Sequence, residues 1–461
     1  VAVNSTQPER LGPVVLAHDN SSEQNKVNTM SSAPVNKHPL LWVPSGYFTM
    51  ALTYNMLTAA AVVMFSNLGM NNTEAAAYAS ALGLAYTIKP FFAAFLEMYK
   101  TKKFFVLLCQ ILLGVGFVGV ALVMGLPNYI TLMLAFFWVL SFIGSSQDIT
   151  TDGVYVTSLD AKSQALYCGW QSLSWNLGKL AMMSVMVVLS GVLHEHYFGL
   201  DPHVSGPEWI KSWQIVFGLL GILMLIMAFW HWRVMPEGAR AENTPRTPKE
   251  AIATLIDAFV TFFQKQGIWL MIGFALLFRV SFGFLNAPSM LFMKDSVENG
   301  GLALTNQEFG IIYGTLGLVA LLIGSLIGGA YVAKKGLQKA LFPLCFCVNI
   351  PNITFLLMAI YQPESHALIS AGVIIEQFFF GIGSVGFMIY LMQQLAPGKY
   401  ATTHYAFGTA LMGLCMMLTG MVSGALQESM GYIGYFVFVM AATIPSFLIC
   451  WFAPFHHKHD H

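Results

Sequence analysis

The chain has 461 residues and a formal net charge of zero; 56% of its residues are hydrophobic and 10% charged, against about 25% charged in an average soluble domain. That composition excludes a soluble domain and a nucleic-acid binder and marks a polytopic membrane protein, in which the placement of lysine and arginine matters more than their number. The six cysteines, Cys109, Cys168, Cys345, Cys347, Cys415 and Cys450, all lie in apolar runs without Cys-x-x-Cys spacing. They are expected as small buried side chains, so no disulfide framework, metal site or cofactor is expected from them.

Residues 1–38 are polar and aperiodic and are expected to form a disordered cytoplasmic N-terminus. Met30 opens a short polar lead, MSSAPVNKHPLLW, into the first apolar run and is the expected translation start. No cleavable signal peptide is recognisable. A spanning helix needs about 20 mostly apolar residues, and twelve segments qualify: 41–64, 75–99, 104–125, 129–156, 165–193, 212–235, 267–293, 306–333, 340–361, 366–395, 403–427 and 431–454. The predicted architecture is an all-α integral membrane protein with twelve transmembrane helices. An N-terminal six-helix bundle covers 39–235, a cytoplasmic linker 236–266, a C-terminal six-helix bundle 267–454 and a His-rich tail 455–461. Within the linker, KEAIATLIDAFVTFFQK repeats its apolar residues at helical spacing, which predicts a helix along the inner membrane face.

With the N-terminus inside, the inner loops hold Lys100, Lys102, Lys103, Lys162, Arg240, Arg246, Lys249, Lys265, Lys334, Lys335, Lys339 and Lys399, and the outer loops only Lys211 and Lys294. The positive-inside rule therefore places both termini in the cytoplasm. A basic cluster follows the second run (EMYKTKKFF) and another the eighth (AYVAKKGLQKALF), a weak internal repeat of the kind secondary transporters carry. The histidines His194, His196 and His203 of the longest outer loop, and the terminal HHKHDH, lack the spacing of a zinc-protease helix. They are expected as solvated loop and tail.

An ionised side chain at mid-bilayer costs roughly 2.5–3.5 kcal/mol on the mildest scale, so such residues pair or line a polar cavity. Asp148 and Asp152 share one face of the fourth run. Lys89 and Asp148 both lie roughly 12–15 Å from the inner end of their helices and can meet if those helices are neighbours. Glu97 and Asp152 lie nearer the inner end, within reach of the KTKK lysines, so Lys89, Glu97, Asp148 and Asp152 are expected as one charge network, either a static brace or a cytoplasmic gate. Lys179, Arg279 and Glu376 approach the midplane, where transporters bind their solutes. Arg279 suits a carboxylate or phosphate through its planar fork, whereas Glu376 can take up and release a proton and, with Asp148, is the expected proton-coupling group. Gln171, Trp175, Asn176, Asn286 and Gln377 lie around them at helical spacing and, with Lys179 and Arg279, are the candidate substrate-binding residues.

SSQDITTDG, with KPFFAAFLEMYKTKKFF ahead of it and then LLFRVSFGFLNAPSMLFM, QEFGIIYGTLGLVALLIGSLIGG and IEQFFFGIGSVGFMIYLM, resembles in order and spacing the AmpG-like muropeptide permeases of the major facilitator superfamily. The similarity spans roughly residues 41–454, and the Ser-Gln-Asp-x-x-x-Asp stretch is its most specific part. The resemblance implies a major facilitator fold of two six-helix halves with alternating access. It also implies proton-coupled import of anionic glycopeptides, N-acetylglucosaminyl-anhydromuramyl sugars with or without peptide, across a bacterial inner membrane. By position it carries the family's lysine onto Lys89, its aspartates onto Asp148 and Asp152, its seventh-helix cation onto Arg279 and its tenth-helix glutamate onto Glu376. The family has arginine where this chain has Asn176, with Lys179 one turn later. A siderophore importer of the same superfamily is the alternative. A polytopic enzyme would need a catalytic pair, and His194 with Glu195 has no nucleophile or metal partner nearby. Nothing marks an obligate oligomer, so a monomer is expected, with protons, the solute and the lipid bilayer as its partners.

Overall fold

The computed structural model describes residues 38–98, 101–159, 161–238, 247–398 and 400–456. The expected disordered N-terminus through residue 37, the Met30 start, the Pro-rich stretch with Arg240 and Arg246, Lys399 and the histidine tail from 457 onward lie outside the described residues, as does the side chain of Glu97.

Among the described residues every regular element is helical. Apolar surroundings leave no water for unpaired N–H and C=O groups, so a lipid-exposed chain closes its hydrogen bonds within each segment. In chain order the helices are α1 (Pro39–Asn67), α2 (Asn72–Ala81), α3 (Lys89–Met98), α4 (Lys102–Val123), α5 (Tyr129–Ser158), α6 (Gly169–Tyr197) and α7 (Pro207–Val234). Then follow α8 (Pro248–Phe263), α9 (Ile268–Lys294), α10 (Asn306–Lys335), α11 (Leu337–Tyr361), α12 (His366–Leu395) and α13 (Thr403–Trp451). Ten of these, all but α2, α3 and α8, are long and apolar enough to cross a membrane.

Two predicted runs differ in form. The run 75–99 is divided between α2 and α3, with the short turn Leu84–Thr87 between them. Pro90 sits in the first turn of α3, where its missing N–H leaves no intrahelical bond unmade. The runs 403–427 and 431–454 are joined without a loop in α13, which leaves helical geometry only at Gly431 (φ 68°, ψ 167°). A side chain there would be strained, since only glycine takes that backbone region freely. Helix starts are set by side chains: Asn71 accepts from the Glu74 N–H at 2.8 Å, Thr101 from the Phe104 N–H at 3.2 Å, and Thr305 and Glu308 form a reciprocal capping box.

The apolar core shows how the two halves of the chain meet. One buried cluster takes residues from both sides of the linker, among them Phe65, Phe137, Met290 and Phe309. Toward the other end the core divides, with Tyr47 and Val154 in one cluster and Phe274 and Tyr390 in another. The core is therefore shared at one end and divided at the other, where the halves still touch at Phe91 and Phe407, ring centroids 6.3 Å apart, and a space lies between them.

The predicted linker helix is α8, capped by Thr247. Its Phe262 is buried against His404 and Phe407 at the start of α13, and Tyr400 donates to Asp257 at 2.6 Å. Lys265 donates to the carbonyls of Leu395, at the end of α12, and Pro397.

Candidate functional site

Asp148 is buried in α5 and forms an ion pair with Lys89, which opens α3. One turn on, Asp152 accepts a hydrogen bond from the Tyr47 hydroxyl at 2.6 Å and lies within electrostatic range of Lys89. The neighbouring helices are pinned by a buried polar chain. Ser45 donates to His231 at 2.8 Å, His231 donates to Gln110 at 2.9 Å, and Gln110 and Gln147 both donate to Thr49, at 3.2 and 3.0 Å. This chain ties α1, α4, α5 and α7 together, so the face of α5 that carries Asp148 has a fixed register. Lys103 pairs with Glu237 at 3.2 Å, where the sequence placed it near Glu97 and Asp152.

Lys89 and Asp148 form one corner of a cavity of about 410 Å³ between the halves, within the range of small-molecule sites. Three helices widen into π-type turns around it, at Met56–Ala60 in α1, Ala181–Met186 in α6 and Gly310–Gly317 in α10. Such a turn inserts a residue and re-aims its neighbours, which is why π-turns gather at functional sites. Thr58, Met183 and Tyr313 of these turns stand on the wall, with Tyr54 and Lys179 just ahead of the first two.

Arg279 occupies a break in α9, where its non-helical backbone (φ −117°, ψ 19°) separates Ile268–Leu277 from Val280–Lys294. Its guanidinium lies over the rings of Phe380, Phe282 and Phe387 at 4.8, 5.3 and 5.7 Å and donates to the Met412 sulfur at 3.3 Å. Its Nε is buried without a hydrogen-bond partner, and no carboxylate pairs with it among the described residues. The aromatic rings hold the cation in place but do not neutralise it.

Lys179 lines the cavity and lies within electrostatic range of both Arg279 and Glu376. Glu376 is buried behind the wall. One of its oxygens accepts from Gln377 at 2.8 Å and the other has no partner. Tyr313 connects this carboxylate to the cavity, within electrostatic range of Glu376 and hydrogen-bonding reach of Gln377. Trp175 and Asn286 stand on the wall. Gln171 does not, and Asn176 turns its amide back onto the Ser172 carbonyl at 2.8 Å. Gln377 supports Glu376 from behind. Tyr54, Tyr86 and the methionines Met412, Met416 and Met417 line the cavity without having been singled out in the sequence. The signal was faint, since apolar and aromatic groups carry no burial penalty that flags them, although the i, i+4, i+5 methionines on one face of α13 were there to be read.

At the fused end the halves are joined by hydrogen bonds. Asn306 donates to Asn67 and to Ser190, each at 2.8 Å; Asn72 donates to Gln427 at 2.7 Å and to Asp295 at 3.2 Å. The Thr73 hydroxyl donates to Glu428 at 2.7 Å and Gln307 to Glu195 at 2.7 Å. Close backbone approach completes the seal: a β-carbon on Gly424 would strike the Asn72 carbonyl, and one on Gly420 the Ser80 hydroxyl.

Membrane-length helices around a charged cavity, sealed at one end, define a multi-pass membrane transporter. The sequence profile of the Major Facilitator Superfamily matches residues 45–424, and the chain belongs to that family. Within it the chain is similar to proteins named as AmpG transporters and anhydromuropeptide permeases. It is 25% identical over 377 residues to the anhydromuropeptide permease of Escherichia coli (strain K12), a match covering 80% of this chain and 70% of that protein. It is 22% identical over 378 residues to putative transporter AmpG 4 of Rickettsia conorii, covering 79% and 84%. These relatives are transporters, not enzymes. The fold is shared with a bacterial homolog of the human lysosomal transporter Spinster in an inward-facing, unoccupied conformation (TM-score 0.67, 16% identity, 91% of this chain and 98% of that one). It is also shared with a D-xylose–proton symporter (TM-score 0.63, 11% identity, 91% and 97%).

Proposed function

We propose that this protein imports an anionic cell-wall muropeptide, GlcNAc-anhydroMurNAc with or without peptide, by proton-coupled alternating access across a bacterial inner membrane. The observation that carries this reading is Arg279, a cation facing the cavity with aromatic and sulfur neighbours but no carboxylate. Lys89 is balanced by Asp148, and Lys179 faces Glu376. Arg279 is therefore the cavity cation that no carboxylate pairs with among the described residues, and a lactyl or peptide carboxylate is its natural complement.

Coupling follows from the same arithmetic. An inside-negative potential of 100 mV opposes inward movement of a lone monoanion by about 2.3 kcal/mol. A proton carried on Glu376 makes the inward step of a monoanion electroneutral. We read the chain as twelve spans in two six-helix halves: α2 with α3 supplies one crossing and α13 supplies two, divided at Gly431. Both termini and α8 then lie on the cytoplasmic side, the hydrogen-bonded seal faces outward, and the conformation is inward-facing. In this arrangement the Lys89–Asp148 pair lies within the first half and is formed while the cytoplasmic side is open, which favours the brace over the gate.

The test is uptake of radiolabelled anhydro-muropeptide into vesicles holding this protein, with and without an imposed proton gradient. Gradient-dependent accumulation that is lost in Glu376→Gln, with the protein still in the membrane, is the expected result. Absence of uptake by the folded wild-type protein would sink the proposal, and ferric siderophores would be tried next.

A further inference from the structure

The cavity is chemically divided between the halves of the chain. Its free aromatic surface belongs to the first half: Tyr54 from α1 and Trp175 from α6 lie with ring centroids 5.8 Å apart, tilted by 41°. Tyr86 meets Tyr54 edge-on at 4.9 Å and so fixes that ring's orientation. Its unpaired cation, Arg279, belongs to the second half. The rings on that side already have stacking partners: Phe282 and Phe380 stack on each other at 3.8 Å and lie beneath the guanidinium, and Tyr313 stacks on Phe309 at 5.3 Å. Tyr54 lies within electrostatic range of Arg279, so the two regions adjoin.

An aromatic face is negative at its centre and attracts polarised C–H groups. A pyranose presents such groups on one face of its ring and hydroxyls around its rim, and Asn55 and Thr58 supply polar partners on the same wall. We propose, resting on the function proposed above, that Tyr54 and Trp175 form the platform on which a pyranose ring of the substrate stacks while Arg279 holds its carboxylate from the opposite half. A neutral sugar touches only the first half, and a simple carboxylate only the second. A glycan acid touches both and draws them together, so the transporter selects for the joint presence of sugar ring and charge.

The experiment is equilibrium binding to the full chain in lipid nanodiscs, with labelled N,N′-diacetylchitobiose as the neutral sugar, N-acetylmuramic acid as the glycan acid and lactate as competitor. Trp175→Leu and Tyr54→Leu are expected to weaken both sugars roughly tenfold or more, whereas Trp175→Phe and Tyr54→Phe, which keep a ring, stay within about threefold of wild type. Arg279→Ala is expected to bring the glycan acid down to the affinity of the neutral sugar and leave the latter unchanged. The platform is overturned if folded Trp175→Leu and Tyr54→Leu proteins bind chitobiose normally, if lactate competes as well as N-acetylmuramic acid, or if wild type binds neither sugar. Muropeptide uptake that ignores Trp175 and Tyr54 overturns the platform alone. Ring-dependent sugar binding without muropeptide uptake overturns the proposed substrate and leaves the platform standing.

Discussion

Arg279 is held by three phenylalanine rings and a thioether, a setting that fixes the position of a planar guanidinium but not of a flexible ammonium. Arg279→Lys keeps the charge and loses the stacked fork, so kcat/KM for uptake is expected to fall about tenfold or more at unchanged protein level, measured from initial rates. Asp148→Asn acts differently. It removes the carboxylate paired with Lys89 and leaves only the more distant Asp152 to face it, at a cost of about 2 kcal/mol; the figure stays below that of a fully buried pair because 29% of the Lys89 side chain remains open to the cavity. A lower thermal midpoint in detergent is the readout. Replacing both partners, Lys89→Met with Asp148→Leu, removes the uncompensated charge and is expected to restore the midpoint. If uptake also returns, the pair is a brace and not a gate.

At the scale of the helices, the linker and the seal each depend on one contact surface. Phe262→Ala removes the ring that docks α8 on His404 and Phe407, a loss of about 3–5 kcal/mol for a buried phenylalanine. Faster hydrogen exchange across 248–263, with the transmembrane helices unchanged, is expected. Gly424→Val places a side chain against the backbone of Asn72 and Thr73, where a β-carbon would already lie 2.7 Å from the Thr73 α-carbon. The seal then cannot close, and cysteines placed beside it should react with impermeant thiol reagents while uptake is lost. The sequence shows the helices plainly, because twenty-residue apolar runs have one stable form in lipid. It shows Lys89 and Asp148 as partners, because charge at matched depth has few places to go. The π-type turns leave no mark in hydrophobic periodicity, and they decide which residues face the cavity. Asn176 is a separate case: it lies in a regular α-helical stretch, one residue past the wall residue Trp175, and bonds back to Ser172, so the spacing of Trp175 and Lys179 already turns it aside. The division of 75–99 at Gly83 and Ile88 escapes because composition reports an apolar run but not its continuity.

Across the whole molecule, the core is shared by the two halves at one end and separate at the other. A transporter that works by moving halves about a central site must break this shared region in each cycle. Asn67→Cys with Asn306→Cys crosses the seal at a point where the amides lie 2.8 Å apart. Oxidation is expected to abolish uptake, and reduction to restore it. Unchanged uptake by the cross-linked protein would mean that this end never opens.

The chemistry of that seal sets how freely it opens. A dry apolar plug would expose its whole area to water on parting, at about 25 cal/mol per Å². Asn67, Asn72, Thr73, Asn306 and Gln307 instead exchange protein partners for water, and each such exchange nets only about 0.5–1.5 kcal/mol. Solvent thus repays the polar part of the seal on parting, and the apolar residues shared at the same end, Phe65 and Met290 among them, set the remaining cost of opening it.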